Sequence, residues 1–207
     1  GDGIGDLTGV IEKLDYIRDL GCEGIWFSPL YPSPNADYGY DVADYRDINP
    51  EYGTLDQFRT LLDEAHKRGM KVIMDLVVNH TSDEHPWFQA SRRREEPYTD
   101  YYIWRPAKGN GKRPNNWDSL FEGKAWEWDE VRGEYYLHLF AKKQPDLNMD
   151  NPAVRKEVEN IYRFWLDLGV DGFAVVLVER QQLVHGAHDE GLLLLVESGV
   201  EQADEAV

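Results

Sequence analysis

A chain of 207 residues with 42% hydrophobic side chains is long enough for a substantial core, as one large domain or a domain with an excursion. Its 39 acidic against 22 basic side chains give a formal charge of -17, which repels phosphate backbones and anionic headgroups and argues against nucleic acid and membrane surfaces as partners. The single cysteine, Cys22, makes no intrachain disulfide. No apolar run approaches the roughly 20 residues of a membrane span, and the opening GDGIGDL lacks the charged and apolar regions of a leader, so a cytoplasmic location is expected.

The opening turn carries Asp2 and Asp6 at alternate positions among glycines. Such carboxylates with nearby carbonyls suit a hard cation, but two are too few for a full shell and a solvated loop explains them as well. Apolar residues Val10, Ile11, Leu14, Ile17 and Leu20 predict a helix over 7–20, with Thr8 as N-cap and Gly21 as stop. GIWFSPLYPSP reads as a short buried strand ended by prolines. The turn DYGYDVADY, Asp37 to Tyr45, sets carboxylates beside tyrosines. These can grip vicinal hydroxyls while a ring stacks on a sugar, although turn chemistry alone also accounts for Asp and Gly there.

Leu55 to Lys67 is a second amphipathic helix, with Leu55, Phe58, Leu61, Leu62 and Ala65 on one face and Gly69 beyond its end. Next comes KVIMDLVVNHTS. Its β-branched first half predicts a strand buried on both faces, and Asp75, Asn79 and His80 crowd its C-terminal end, where ligands bind in parallel α/β folds. Some sixty aperiodic residues follow, rich in Arg, Pro, Gly and Trp. A structureless loop of that length is improbable in a compact domain, so a small inserted subdomain is expected, with EYYLHLF as one of its strands. Aromatics cluster between Tyr98 and Tyr136, which suits sugar rings as well as core packing. Pro152 to Leu168 then forms a helix with Gly169 as stop, followed by the buried strand FAVVLV. This alternation is the grammar of a parallel α/β sheet or barrel.

Taken together, GDGIGDL, DYGYDVADY, DLVVNHTSDEHPWF, NNWDSLFEGKAW, HLFAKKQPDLN and GVDGF resemble, in order, the α-amylase superfamily of glycoside hydrolases, within it the oligo-1,6-glucosidase and α-glucosidase group. The resemblance covers about Gly1 to Phe173. It implies an α/β fold that is part of a (β/α)8 barrel, about strands 2 to 4, with a subdomain inserted after the third strand. The expected division is 1–78 and 151–178 for the barrel, 79–150 for the subdomain and 179–207 for a non-family tail. It further implies an enzyme that hydrolyses terminal α-linked glucose in short oligosaccharides with retention, α-glucosides as small-molecule partners, and no cofactor for the chemistry.

By the same resemblance, Asp37 holds hydroxyls of the non-reducing glucose and Tyr40 stacks beneath its ring. His80 donates to the sugar, while Phe121, Phe140 and Gln144 approach from the subdomain. Asp75 is a supporting carboxylate paired with an arginine on the fourth strand. Asp2, the carbonyl of Ile4 and Asp6 belong to a calcium or magnesium loop, although ligands that normally precede Asp2 have no counterpart in the chain.

One motif departs. A retaining glycosidase needs a nucleophilic carboxylate and an acid/base carboxyl about 5 to 5.5 Å apart. The family carries the nucleophile in Gly-Phe-Arg-x-Asp; here Gly172 and Phe173 are followed by Ala174, Val175 and Val176, so no catalytic residue is intact. From Ala174 onward no family motif stands in its expected place. Glu197, Glu179 and the pair His185 and His188 carry little weight as substitutes. A frameshift or chimeric join explains the change more simply than divergence into a non-catalytic sugar-binding or partner-binding member. Trehalose-forming and sucrose-isomerising relatives share the motifs, and Leu177 holds the place that influences linkage preference. About three strands of eight leave long unpaired edges, which predicts poor solubility or dependence on a partner.

Overall fold

The computed structural model describes residues 3–121 and 123–176, the last without its side chain, and the backbone of 195–198. Asp2, Leu177, Glu179, His185 and His188 lie outside the described residues.

Helix α1 spans Leu7–Asp19 and α2 spans Leu55–Lys67, and the two pack together ahead of strands β1 (Gly24–Phe27) and β2 (Lys71–Val77). Asp6, not Thr8, caps α1: its carboxylate accepts the Gly9 N–H at 2.7 Å and its backbone is extended, which puts the cap two residues earlier than expected while the helix begins at Leu7. Thr54 and Gln57 close a capping box on α2, which buries Phe58, Leu61, Leu62 and Ala65 as expected.

Strand β1 pairs in parallel with β2, and β2 with β6 (Gly172–Val176). Helix α4 (Pro152–Leu168) precedes β6 and stops at Gly169, where φ is 114°. With β7 at Leu195–Ser198, the sheet order is β1-β2-β6-β7, so β2 is the inner strand that joins both halves of the parallel region, and among the described residues the sheet does not close on itself. β1 is an edge, which corrects its reading as a buried strand: Gly24 and Trp26 are exposed, with Trp26 at 54%. β7 (Leu195–Ser198) runs antiparallel to β6 with Glu197 opposite Phe173. A fifth strand of a parallel barrel would run the other way, so the likeness of Glu197 to an acid on such a strand has no support in the topology.

Asp171 sets the register at the start of β6. Its Oδ2 accepts the Val72 N–H at 2.9 Å, Lys71 Nζ reaches Oδ1 at 2.8 Å, and His66 Nε2 lies 2.7 Å from Oδ2.

Between β2 and α4 lie a short helix α3 (Pro86–Arg92) and an antiparallel sheet of order β3-β5-β4, formed by Trp104–Arg105, Trp126–Asp129 and Glu134–Leu137 as β3, β4 and β5. EYYLHLF does form β5, but Tyr135, Tyr136 and Leu137 are all buried, so the strand lacks a solvent face. Tyr135 and Leu137 join an apolar cluster of the small sheet while Tyr136 packs into the main core. Arg132 ties α3 to this sheet, donating to the Ser91 and Thr99 carbonyls at 2.6 and 2.8 Å and lying 4.6 Å from the Trp104 ring centre.

Trp165 of α4 is the hub of the main core. It meets Tyr31, Phe58 and Phe164 edge-on and donates its indole N–H to the Tyr45 carbonyl at 2.8 Å. Trp165→Ala is expected to cost about 3 to 5 kcal/mol in urea unfolding, and Trp26→Ala at the exposed edge no more than about 0.5 kcal/mol; equal losses would place the hub elsewhere.

Candidate active site

The C-terminal end of β2 is held by two buried phenols. Tyr31 donates its hydroxyl to the Asp75 carbonyl at 2.9 Å. The Tyr45 hydroxyl lies 2.7 Å from the Val77 carbonyl and 2.8 Å from that of His80, its one proton shared between them. Beyond the strand, the returning chain fastens onto this end: Leu147 N–H donates to the Asn79 carbonyl at 2.9 Å and Asp146 bridges His80.

Asp41, fully buried, organises the loop that carries Asp37 and Tyr40. Its carboxylate accepts from Ser33 Oγ, Ala36 N and Asp37 N, each at 2.9 Å. The chain turns through positive φ at Tyr38 and Gly39, and a Cβ at Gly39 would meet the Pro29 carbonyl at 3.1 Å, so glycine is needed for the close approach. Asp41 was missed in the sequence because a carboxylate in a Tyr-Asp turn reads as surface; its signal is the run of amides four and five positions before it.

Gln144 is the joint between the two halves of the site. Its Oε1 accepts the Ala141 N–H at 2.9 Å, which orients the amide so that Nε2 donates to Asp37 Oδ2 at 2.8 Å and lies 3.1 Å from His80 Nε2. His80 is buried, and desolvation lowers its pKa to about 4 against the help of the Tyr40 carbonyl, so the ring is neutral near pH 7. Asn79 Nδ2 lies 3.3 Å from Nδ1 and the Tyr40 carbonyl 3.1 Å from Nε2; a protonated Nε2 donates to that carbonyl, whereas a bare Nε2 accepts from the Gln144 amide. Phe140 packs on this ring at 4.8 Å between centres, and the half-exposed Phe121 meets Phe140 edge-on at 5.7 Å.

Tyr40 donates to Asp75 Oδ2 at 3.1 Å; its own pKa is pushed up to about 12, by burial first and then by the Asp75 carboxylate. The other oxygen, Asp75 Oδ1, is buried without a hydrogen-bond partner among the described residues. In the strand register Asp75 lies opposite Ala174, and Val77 opposite Val176, the positions where arginine and nucleophile were expected. Desolvation pushes the Asp75 pKa up to about 6, only partly offset by the Tyr40 hydroxyl.

Asp37, Tyr40, Asp75, His80, Phe140 and Gln144 therefore meet in one place, with Phe121 joined through Phe140. Ile4 and Asp6 do not belong to it. Ile4 is exposed, and Asp6 spends one oxygen on the α1 cap. One carbonyl and one remaining carboxylate oxygen fall short of the six to eight oxygens of a calcium shell, so the described residues do not by themselves fit the ion. No cluster of three or more metal-ligating side chains occurs among the described residues, and no helix among them is long and apolar enough to cross a membrane.

Carboxylates, a neutral imidazole and aromatic rings thus gather at the strand ends of an α/β sheet. Residues 1–190 match the alpha-amylase catalytic domain, and the chain belongs to that family. It is 63% identical over 179 residues to an oligo-1,6-glucosidase of Parageobacillus thermoglucosidasius, covering 86% of this chain and 32% of that one. Among solved structures it resembles a trehalose-6-phosphate hydrolase of Bacillus licheniformis, with TM-score 0.84 and 52% identity over 88% of this chain and 34% of the other. A trehalulose synthase of Pseudomonas mesoacidophila gives TM-score 0.81 and 52% identity over 84% and 32%. The chain spans about a third of the length of the curated relatives it matches.

The raised Asp75 pKa has a definite sign. The folded protein holds this proton more tightly than the unfolded chain, whose value is near 3.8, so the linked stability is complete below about 4 and is lost as pH rises through about 6. His80, held down to about 4, works in the opposite sense between about 4 and 6.5, because there the unfolded chain takes up the proton first. Comparison with Asp75→Asn isolates the carboxylate. The urea midpoint of that variant relative to the parent is expected to climb between pH 4 and 6.5 and level off above; a flat difference contradicts the assignment.

Proposed function

We propose that this chain carries the glucose-recognising side of an α-glucosidase-type site, for terminal α-linked glucose in short oligosaccharides, and is without hydrolytic activity as it stands. The observation that carries the reading is the Gln144 amide, which joins Asp37 on the β1 side to His80 at the end of β2. In this reading Asp37 accepts from sugar hydroxyls, Tyr40 lies beneath the ring, and His80 Nε2 hydrogen-bonds a sugar hydroxyl. Phe140 and Phe121 flank the entrance from residues 79–150, which we take as a subdomain inserted into a barrel portion formed by 1–78 and 151–178.

Retaining chemistry requires a carboxylate to form the glycosyl intermediate and a second carboxyl to protonate the leaving oxygen. Val176 stands at the first position, and the second has no counterpart in the 207 residues. The alternative of a non-catalytic, sugar-binding or partner-binding member draws on the same pairing of Ala174 with Asp75. A sucrose-isomerising or trehalose-related preference is the variant that the relatives' names raise. We take the protein as cytoplasmic, with neither nucleic acid nor membrane as partner, on its charge of -17.

Incubated with p-nitrophenyl α-glucoside, the purified chain is expected to release no nitrophenol above a buffer blank, and Ala174→Arg combined with Val176→Asp is expected to do no better. Methyl α-glucoside should nonetheless perturb the His80 ring signals in NMR, weakly and saturably, and lose that effect in Gln144→Ala. Saturable turnover overturns the inactive reading; absence of any sugar effect on His80 overturns the recognition reading.

A further inference from the structure

The small antiparallel sheet carries a groove whose lining includes none of Asp37, Tyr40, Asp75, His80, Phe121, Phe140 and Gln144. It has a volume of about 440 Å³, within the range of small-molecule pockets, and Arg105, Lys108, Asn115, Trp117 and Trp126 are among its walls. None of its lining residues is a carboxylate.

The charge here runs against the rest of the chain. From Arg105 to Trp117 the sequence reads RPAKGNGKRPNNW, with four cations and no acid in a protein of charge -17. Elsewhere the lysines and arginines are largely bound to carboxylates, as at Arg68 with Asp15 and Glu64 or Lys143 with Asp83. Arg105, Lys108, Lys112 and Arg113 make no ion pair among the described residues. Arg105 only folds back onto the Trp104 carbonyl, at 2.8 Å, and Arg113 Nε donates to the Trp126 carbonyl at 2.9 Å. Four like charges within nine residues repel one another, and a loop that gathers them without counter-charge leaves that repulsion for an anion to relieve.

The loop is nevertheless held in place. Lys108 N–H donates to the Lys112 carbonyl at 2.8 Å, Tyr135 donates its hydroxyl to the Gly111 carbonyl at 2.9 Å, and the chain reverses through positive φ at Asn110 and Gly111. Asn115 Oδ1 is taken twice, by the Trp126 indole N–H at 2.7 Å and the Trp117 N–H at 3.1 Å. This fixes the amide and leaves both Nδ2 protons for a ligand.

We propose that this groove is a second binding site, for a sugar phosphate. The phosphate lies against Arg105 and Lys108, a pyranose face packs on the Trp117 side of the groove, and a hydroxyl accepts from Asn115 Nδ2. Cations supply the anion's partners, and an indole with a neighbouring amide matches a ring that is apolar on its face and polar at its edge.

The test is a tryptophan-fluorescence titration of the whole chain at low ionic strength with glucose 6-phosphate, glucose, inorganic phosphate and AMP. Glucose 6-phosphate is expected to bind saturably, at least tenfold more tightly than the other three, and less tightly as sodium chloride is added. Arg105→Glu with Lys108→Glu, both on exposed side chains, should weaken it at least tenfold with an unchanged circular dichroism spectrum, and Trp117→Ala should weaken it likewise. Gln144→Ala, in the α-glucoside pocket, should leave it unaltered, so this result stands apart from the proposed function. Equal binding of inorganic phosphate or of glucose, tighter binding of AMP, an unchanged affinity in the charge-reversed variant, or no binding overturns the proposal.

Discussion

The arrangement of the site depends on the burial of strand β2. Parallel neighbours take up both of its edges and the packed core covers its faces, so the polar residues at its C-terminal end must find partners within the protein. Tyr31 and Tyr45 take up the backbone carbonyls there, and Asn79, Gln144 and the Tyr40 carbonyl surround His80. The one group left short is the Asp75 carboxylate.

Asp75 and Asp171 make the point by contrast, because both lie where β2 and β6 run side by side. At the start of β6, burial works against the charge of Asp171, but Lys71, the Val72 amide and His66 outweigh it and hold the pKa below the ordinary carboxylate value. At the far end of β2, Asp75 has only the Tyr40 hydroxyl, and burial prevails. Ala174 beside it supplies neither charge nor hydrogen bond. A buried carboxylate without a cationic partner is costly, and below about pH 6 Asp75 lowers that cost by taking up a proton.

Much of this was legible in the sequence, for identifiable reasons. Helices α2 and α4 follow their apolar period and end near glycines, and β2 and β6 are short, mostly apolar runs rich in valine, so both kinds of element stand out. Strand β1 did not, because four residues cannot reveal whether a strand lies inside a sheet or at its edge. The short helix α3 and strands β3 and β4 escaped because a seven-residue helix and strands of two and four residues carry too little periodicity. On the site, motif order pointed to Asp37, Tyr40, His80 and Gln144, whereas the buried Asp41 could be found only from the amides that converge on it. The basic run from Arg105 to Arg113 was passed over in the sequence as part of an aperiodic segment, and its uncompensated state is seen only against the ion pairs of the folded chain.

The central claim is that Asp75 is a buried carboxylate with no cationic partner among the described residues. Its carboxyl carbon can be followed by NMR through a pH titration in the parent chain and in Ala174→Arg. A midpoint near 6 in the parent, falling below the ordinary 3.8 in the variant, is the result expected; a midpoint below 3.8 in the parent, or one that the arginine leaves unmoved, would contradict the account.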